Sequence, residues 1–172
     1  GLRAEVPEHG RPRGLVLAPP RPSPRLEEAD GLGMLRTWQG RVGAEQCDET
    51  GRLTPRHFMG IVSDSIPNLL ALTGGADRSR ASKVGGAALE YRFVYRRAPR
   101  VGDVLTLRSG LKQVSAKTYT WCHWLFDLAT GEAVATAEAV AIALDLEQRR
   151  AIPIPEALRT DLEARVIAGL GV

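Results

Sequence analysis

The stretch AVATAEAVAIAL, residues 133–144, decides how the chain folds. Alanine stands at every odd position of this stretch. The even positions carry the larger side chains of Val134, Thr136, Glu138, Val140, Ile142 and Leu144. Alanine by itself favours a helix, but a period of two is the geometry of a strand, whose alternate side chains point to opposite faces. The period therefore predicts a long strand with one flat face of alanine, which a helix or a second sheet can approach closely.

The same period of two recurs in four segments upstream. In TWQGRVGAE, Trp38 and Val42 alternate with Gln39 and Arg41, and in LEYRFVY the aromatic residues alternate with charged ones. Turn-forming sequences such as RAPRVGD and DLATGE separate the later segments. This pattern predicts strands over residues 35–45, 89–96, 103–114 and 118–127, in addition to 132–144.

A single long helix is expected between the first strand and the other four. Thr54 is a favoured N-cap residue, and Pro55 occupies the favoured first helical position. Apolar residues then recur at one-face helical spacing, at positions 58, 61, 62, 66, 69 and 70. We expect a helix over 55–72, bent or broken at Pro67, and a loop over the glycine-rich residues 74–87. One helix crossing a five-stranded antiparallel sheet is an α+β domain.

The two ends of the chain lie outside this pattern. Six of the eleven prolines fall in residues 1–25, which predicts an extended arm, with Pro24 introducing a short helix to about Asp30. Pro155 introduces a terminal helix over about 156–168. The chain begins at Gly1 without a methionine, which favours a trimmed chain or a part of a longer protein. The expected units are an extended N-terminal arm or linker (1–35), a main domain (36–155) and a C-terminal helix (156–172).

The composition narrows the class of protein. The 172 residues, 44% hydrophobic and 25% charged, fit one soluble globular domain. The net charge is only +3 and the basic residues are spread along the chain, which argues against a nucleic-acid partner. Cys47 and Cys122 suit a reduced, cytoplasmic protein better than a disulfide framework. No apolar run reaches the roughly 18 residues of a membrane span, and no signal peptide is visible, so no membrane partner is expected.

The stretch CDETGRLTPRHFMG, residues 47–60, holds the main candidate for chemistry. It places the carboxylate of Asp48 in a turn directly before the predicted helix. Helix N-termini hold anions and polarise carbonyl groups, so an acid beside one is a possible catalytic device. The alternative is an ordinary turn in which Asp48 bonds its own backbone.

Two motifs in this order resemble those of the hot-dog fold acyl-CoA thioesterases, of the 4-hydroxybenzoyl-CoA thioesterase-like type. They are the turn Asp48-x-x-Gly51 leading into a helix with Phe58, and LEYRFVYRRAPRVGDVL with its Pro-x-x-Gly-Asp. The similarity covers roughly residues 36–155. It implies a sheet wrapped around the central helix and homodimers, or higher oligomers, whose sheets join edge to edge. It also implies an acyl-CoA or acyl carrier protein thioester bound between two units, without a metal or redox cofactor.

The resemblance also implies roles for particular residues. Asp48 would attack the thioester carbonyl or activate water, Gly51 would permit close approach, and N–H groups at the helix start would polarise the carbonyl. Many members continue with His-x-Asn-Asn, where this chain has Arg52-Leu53-Thr54-Pro55. Pro55 lacks an N–H. The thioester carbonyl would therefore be polarised by the N–H of Arg56 or His57, or by the Arg52 side chain.

Further candidates lie on and beside the helix. Arg52 would bind a CoA phosphate or pair with Asp48, and His57 would donate to the thioester or to CoA, or lie at the surface. Substrate contact is also expected of Arg56 and Phe58. Asp64 is the second candidate for a catalytic base, because it shares a helical strip with His57; its alternative role is to cap the helix beyond Pro67.

Three functions are compatible with these features. The leading expectation is hydrolysis of an acyl-CoA or acyl carrier protein thioester. The alternative is a non-catalytic acyl-thioester-binding or structural hot-dog unit, for example one half of a tandem protein. The third function is that of a hydratase or dehydratase of the same fold, which needs an acid and a histidine near the helix start. Asp48 and His57 could supply this pair, but the sequence around them does not resemble that of the hydratase family. Cys122 and His123 are adjacent in a strand and so face opposite sides, which argues against a shared metal.

Overall fold

The computed structural model describes residues 7–11 and 18–172 of the chain, so residues 1–6 and 12–17 of the predicted arm lie outside the described residues. The described part contains four α-helices, α1 (Leu26–Gly31), α2 (Pro55–Leu72), α3 (Gly75–Ser82) and α4 (Glu156–Glu163). It contains six strands, β1 (Leu35–Arg41), β2 (Val84–Tyr95), β3 (Val104–Val114), β4 (Thr118–Asp127), β5 (Ala133–Asp145) and β6 (Arg150–Ile152). Short 3₁₀ turns occur at Glu8–Gly10 and Ala44–Gln46.

All six strands belong to one antiparallel sheet. Five of them run in the order β1-β3-β4-β5-β2, and β6 pairs with the end of β5, where Leu144 lies opposite Ala151. The prediction of an α+β domain with an antiparallel sheet is confirmed. The predicted number of five strands was wrong by one, because β6 has only three residues and shows no alternation in the sequence.

Helix α2 lies on one face of this sheet, which is the hot-dog arrangement. Phe58, Ile61 and Val62 of the helix pack with Leu107 and Leu125 of the strands in one buried cluster. The helix spans the expected residues and is continuous through its internal proline, so of the two expected outcomes, a bend or a break, the break does not occur. No helix in the described part of the chain is long and apolar enough to cross a membrane.

The alanine face of β5 makes room for aromatic side chains of the neighbouring strands. Ala137 lies opposite Phe93 of β2, and Ala139 lies between Tyr91 of β2 and Trp121 of β4. Side chains directly opposite each other on one face of a sheet touch. A small residue between two large ones therefore lets both rings lie on the face that carries α2.

The other face of the sheet is covered by segments from both ends of the chain. Ala29 of α1 and Leu170 near the C-terminus pack with Trp124 in a second buried cluster. The Arg21 guanidinium lies over the Trp124 ring, 4.7 Å from its centroid, and the indole N–H donates to the Gly171 carbonyl at 2.9 Å. From Arg21 onward, the arm is thus packed against the sheet.

The predicted loop over residues 74–87 was wrong. Helix α3 occupies most of it, and β2 begins at Val84. The sequence of α3 includes alanine and arginine, which are good helix formers. Gly85 and Gly86 have no side chains to alternate, so the first part of β2 could not be recognised from the sequence.

The terminal helix is shorter than predicted, ending at Glu163 rather than near residue 168. The Ile167 N–H donates to the Leu111 carbonyl of β3 at 2.8 Å, and Val166 forms a parallel bridge with Leu111. These bonds draw the chain onto the sheet, where Leu170 is buried.

Candidate active site

Asp48 lies in a tight turn that leads directly into α2. Its N–H donates to the Arg52 carbonyl at 2.9 Å, and the Gly51 N–H donates to the Asp48 carbonyl at 2.9 Å. Gly51 has a φ of 74°, a left-handed conformation that favours glycine. Cys47 and Leu53 bridge the two sides of the turn, and Leu53 is buried. The core therefore fixes the position of Asp48 relative to the start of the helix.

The turn rests on the segment 99–103, which carries the Pro-x-x-Gly-Asp sequence. The Leu53 N–H donates to the Pro99 carbonyl at 2.8 Å, and the Val101 N–H donates to the Gly51 carbonyl at 3.1 Å. The two motifs that carry the family resemblance are distant in sequence. The structure brings them together as one hydrogen-bonded unit.

One oxygen of the Asp48 carboxylate is held by three donors of its own turn. Oδ1 accepts the Thr50 N–H at 2.9 Å, the Thr50 hydroxyl at 2.7 Å and the Arg52 N–H at 3.1 Å. The Thr50 hydroxyl bond, followed by the backbone bond from Arg52, lowers the pKa of Asp48 below its usual value. The side chain is exposed, and Oδ2 accepts no hydrogen bond from the described residues. Asp48 is therefore an ionised carboxylate at neutral pH, with one oxygen fixed and the other free.

Exposed arginines lie close to the Asp48 turn. Arg52 forms an isolated bridge with Arg100 of the adjacent segment, and Arg56 lies in the first turn of α2. Arg52 contacts Asp48 through its backbone rather than through a side-chain ion pair. In the described part of the chain, none of these three guanidinium groups has a carboxylate partner within ion-pair distance.

The start of α2 leaves the Arg56 N–H free. Thr54 is the N-cap residue, but its hydroxyl bonds His57 Nδ1 at 2.9 Å instead of capping a backbone N–H. Pro55 has no N–H, and the His57 N–H donates to the Thr54 carbonyl at 3.0 Å. The Arg56 N–H has no acceptor among residues 7–11 and 18–172. Of the donors named from the sequence, the Arg56 N–H is thus the backbone group that remains available.

Phe58 lies in the core, with 3% of its surface exposed. Its ring meets the Tyr95 ring edge-on, with the centroids 5.0 Å apart. Tyr95 in turn stacks on Phe93, and Phe93 on Tyr91, at 5.8 and 6.1 Å. The side chain expected to contact substrate therefore joins the first turn of α2 to an aromatic row along β2.

The structure does not bring Asp64 near the start of the helix. Asp64 is exposed on α2, about 12 Å along the axis from Arg56 at 1.5 Å per residue. One turn beyond it, the Asn68 side chain donates to the Thr37 carbonyl of β1 at 2.8 Å. Asp64 therefore lies apart from the Asp48 turn within one chain.

A buried polar network beneath α2 was not predicted from the sequence. His123 Nδ1 shares a hydrogen bond with the Ser109 hydroxyl at 2.8 Å, and Ser109 shares one with the Thr37 hydroxyl at 2.8 Å. His123 is 1% exposed, and Nε2 has no partner in the described residues. Burial lowers the pKa of His123 to about 4. Its neighbour Cys122 belongs to the buried cluster on the other face, as the alternation of a strand requires.

Comparison with known proteins gives a family and a set of similar folds. The model of the thioesterase-like superfamily matches residues 42–162. No curated protein sequence matches the chain. The probable thioesterase YbaW of Escherichia coli is 20% identical, with a TM-score of 0.70 over 77% of this chain and 99% of that one.

Two other solved structures are similar at comparable levels. SAV2348 of Staphylococcus aureus, solved in complex with CoA, is 18% identical, with a TM-score of 0.66 over 76% of this chain and 84% of that one. Slr0204 of Synechocystis, a 1,4-dihydroxy-2-naphthoyl-CoA thioesterase, is 15% identical, with a TM-score of 0.61 over 74% of this chain and 94% of that one. At these identities the similarity establishes the fold.

The family match covers well over half of the chain and includes both the Asp48 turn and the segment on which it rests. The expected resemblance is therefore confirmed at the level of the family. The chain belongs to the thioesterase-like superfamily, and thioester hydrolysis is the class of activity that this membership gives it.

Proposed function

We propose that the protein hydrolyses an acyl thioester of CoA, with the Asp48 carboxylate as nucleophile. The observation that carries this proposal is the state of that carboxylate: ionised, exposed, held at Oδ1 and free at Oδ2. A low pKa makes a carboxylate a weak base. We propose attack by the free Oδ2 on the carbonyl carbon, and removal of a proton from water, the other role considered for this residue, is the alternative.

The reaction would run in two steps. Attack on the thioester forms an anhydride between the acyl group and Asp48, and the CoA thiolate leaves and takes up a proton. Water then hydrolyses the anhydride, which releases the carboxylic acid and restores Asp48. The free Arg56 N–H, at the positive end of the α2 dipole, would stabilise the negative charge that develops on the carbonyl oxygen.

The three exposed arginines supply a chemistry suited to CoA. Arg52, Arg56 and Arg100 carry guanidinium groups without carboxylate partners in the described structure, and guanidinium groups bind phosphates in bidentate geometry. The complex of SAV2348 with CoA shows that a protein of this fold binds CoA. We propose these arginines as the site of the CoA phosphates; an acyl carrier protein remains the alternative donor.

We also propose a homodimer formed by two β2 strands. β2 is a strand of twelve residues at one end of the strand order of the sheet. Leu89 is 58% exposed and Tyr95 is 50% exposed. A strand at the edge of a sheet with exposed apolar side chains is a template for pairing with another chain, and the thioester would bind where the two units meet.

A thiol-release assay over a panel of acyl-CoA substrates tests the proposal. Wild-type protein is expected to release CoA, and Asp48→Asn to lower kcat at least about a thousandfold. Glu49→Gln, which changes the adjacent exposed carboxylate, is the matched control and should leave kcat within about twofold. Asp64→Asn tests the second candidate base in the same assay.

The chemical route has its own measurement. Acid quenching during turnover should trap an acyl group on the peptide that contains Asp48, detectable by mass spectrometry. Binding of acyl-CoA without any release of CoA would instead support the non-catalytic hot-dog unit. Equal activity of wild type and Asp48→Asn would show that Asp48 is not the reacting group.

A further inference from the structure

A polar cavity of about 420 Å³ lies on the face of the sheet that is turned away from α2. Glu138, one of its lining residues, lies opposite Cys122, and Cys122 belongs to the buried cluster on that face. Four neighbouring strands supply the floor of the cavity, through Arg92 of β2, Glu138 of β5, Thr120 of β4, and Lys112 and Gln113 of β3. The floor is therefore a row of polar side chains across the sheet.

The arm and the C-terminal residues cover this floor. The cavity is lined on that side by Ala18, Pro19, Arg21 and residues 169–172. The Arg21 N–H donates to the main-chain oxygen of Val172 at 2.7 Å, and the Arg92 side chain donates to the Ala18 carbonyl. The cover is thus hydrogen-bonded within itself and to the sheet below it.

A buried ion pair forms part of the floor. Lys112 Nζ donates to Glu138 Oε1 at 2.6 Å, and the Glu138 side chain is only 5% exposed. Burying two charges costs desolvation energy that their mutual attraction often does not recover. Apolar side chains, Trp124 and Phe126 among them, fill the neighbouring part of this face. Charged groups kept at a cavity in such surroundings are candidates for contact with a ligand.

Hydrogen-bond donors are in excess at this cavity. Arg21 Nη2 pairs with Glu28, whereas Arg21 Nη1 is buried and has no partner among the described residues. Lys112 Nζ has three N–H groups, and within the described part of the chain it donates to Glu138. Among the described residues that line the cavity, no buried side-chain oxygen lacks a partner. A ligand that satisfies this site must therefore supply acceptor oxygens.

The cavity is remote from the Asp48 turn. That turn rests on residues 99–103, directly before β3, whereas Lys112 lies near the other end of β3. The distance from Val104 to Lys112 along the strand is about 26 Å, at about 3.3 Å per residue. A small molecule in the cavity would not reach Asp48, so the cavity is separate from the candidate active site.

We propose that this cavity is a second ligand site, which binds the oxyanion of a small polar molecule, a carboxylate or a phosphate. Arg21 and Lys112 would donate to the oxyanion, and Glu138 and Thr120 would bond hydroxyl groups of the same molecule. The cavity has more than ten times the roughly 30 Å³ of a water molecule, so it has room for a molecule larger than the bare ion. Bound between the cover and the sheet, the ligand would stabilise the folded chain. This inference does not depend on the proposed function.

Calorimetry on the intact chain with inorganic phosphate, glycerol 3-phosphate and citrate tests the site. At least one of these probes is expected to bind with a Kd of about 1 mM or lower, and the comparison of citrate with the two phosphates identifies the preferred oxyanion. Lys112→Met removes a donor and should weaken this binding at least about tenfold. Lys117→Met, at an exposed lysine in the turn between β3 and β4, is the matched control and should change Kd less than about twofold.

A second variant blocks the cavity without removing a charge. A Cβ atom on Gly171 would lie 3.9 Å from Glu138 Oε1, an ordinary contact, so a side chain is accommodated there and extends toward the floor. Gly171→Leu should therefore weaken binding at least about tenfold, and it decides the matter even if Lys112→Met does not fold. Gly31→Leu is its control, because Gly31 is exposed and a Cβ atom there meets open space.

Two results would overturn the assignment. One is the absence of binding by all three probes up to about 10 mM. The other is binding that survives both Lys112→Met and Gly171→Leu; its loss in Arg100→Gln would place the anion at the arginines proposed for CoA. Binding that depends on Lys112 in a protein that hydrolyses no thioester would contradict the proposed function alone.

Discussion

The Thr50 hydroxyl donates to Oδ1 of Asp48 at 2.7 Å and contributes most to the low pKa of that carboxyl group. A hydrogen bond to the charged form of an acid favours ionisation, so its loss raises the pKa. Thr50→Val should therefore move the acid limb of the kcat/KM profile to higher pH while leaving the rate well above that limb nearly unchanged. The profile is measured with one acyl-CoA from pH 8 down to the lowest pH at which the protein stays folded, so that the start of the wild-type acid limb is compared with that of the variant.

Thr160→Val is the control for this variant, because Thr160 is an exposed threonine of α4 far from Asp48 in sequence, bonded to the Glu156 carbonyl. It should leave the acid limb in place. An acid limb that does not move in Thr50→Val would mean that the ionisation controlling the rate belongs to another group.

The missing N–H of Pro55 gives a second prediction. If the start of α2 polarises the thioester carbonyl, Pro55→Ala adds a donor beside the free Arg56 N–H. Loss of one such donor commonly lowers kcat 10²–10³-fold, so a gain of about tenfold in kcat is expected. Acyl-CoA hydrolysis at saturating substrate measures it.

Pro67→Ala provides the comparison. Pro67 is exposed inside α2 and cannot donate to the Ser63 carbonyl. Its replacement should raise the free energy of unfolding by about 1–3 kcal/mol without changing kcat. A similar gain in kcat from both variants would point to helix stability, and not to the new N–H group, as the cause.

We expect the burial of His123 to lower the free energy of unfolding in acid. Its pKa is lowered to about 4 in the folded protein, against an ordinary value near 6.5, because burial disfavours the charged ring. The unfolded chain therefore binds a proton that the folded chain does not, and folding stability falls as pH drops from about 7 toward 4. The contribution is about 3 kcal/mol over this range, measurable by urea unfolding.

His123→Gln should flatten this pH dependence, whereas His57→Gln, the control at a histidine outside the Ser109–His123 network, should retain it. The outcome is informative even if His123→Gln lowers stability at neutral pH, since the slope with pH is the quantity compared. Equal slopes in wild type and His123→Gln would assign acid sensitivity to other groups.

The proposed dimer predicts the effect of a charge on the edge of β2. Leu89 is 58% exposed at the bulge of this strand. Leu89→Lys places a charge where the partner strand would pair, so the dimer should dissociate at least tenfold more readily and thioester hydrolysis should fall with it. Analytical ultracentrifugation gives the dissociation constant.

Leu128→Lys is the control. Leu128 is 40% exposed in the turn between β4 and β5, so a charge there should leave the dimer intact. Monomeric wild-type protein with full hydrolytic activity would remove both the dimer and the two-subunit site. A dimer that is unaffected by Leu89→Lys would place the interface on another surface.

The sequence by itself determined the elements whose signal is local. The period of two over residues 133–144 identified β5 against the helical preference of alanine, and Thr54-Pro55 marked the start of α2 at the observed residue. Asp48 and Gly51 specify their turn within four residues, because the hydrogen bonds that close it lie within the same short segment. These features depend on neighbours in the chain, so they can be recognised without knowing the fold.

Only the tertiary structure decided how these parts meet. The Leu53 N–H donates to the Pro99 carbonyl, so the Asp48 turn rests on the Pro-x-x-Gly-Asp segment. The last turn of α2, helix α3, the start of β2 and α4 line a cavity of about 330 Å³ that no segment forms alone. Ser109 and His123 bond each other because their strands are paired. Such contacts join residues far apart in the chain, and their geometry is set by the packing of the whole sheet rather than by any local pattern.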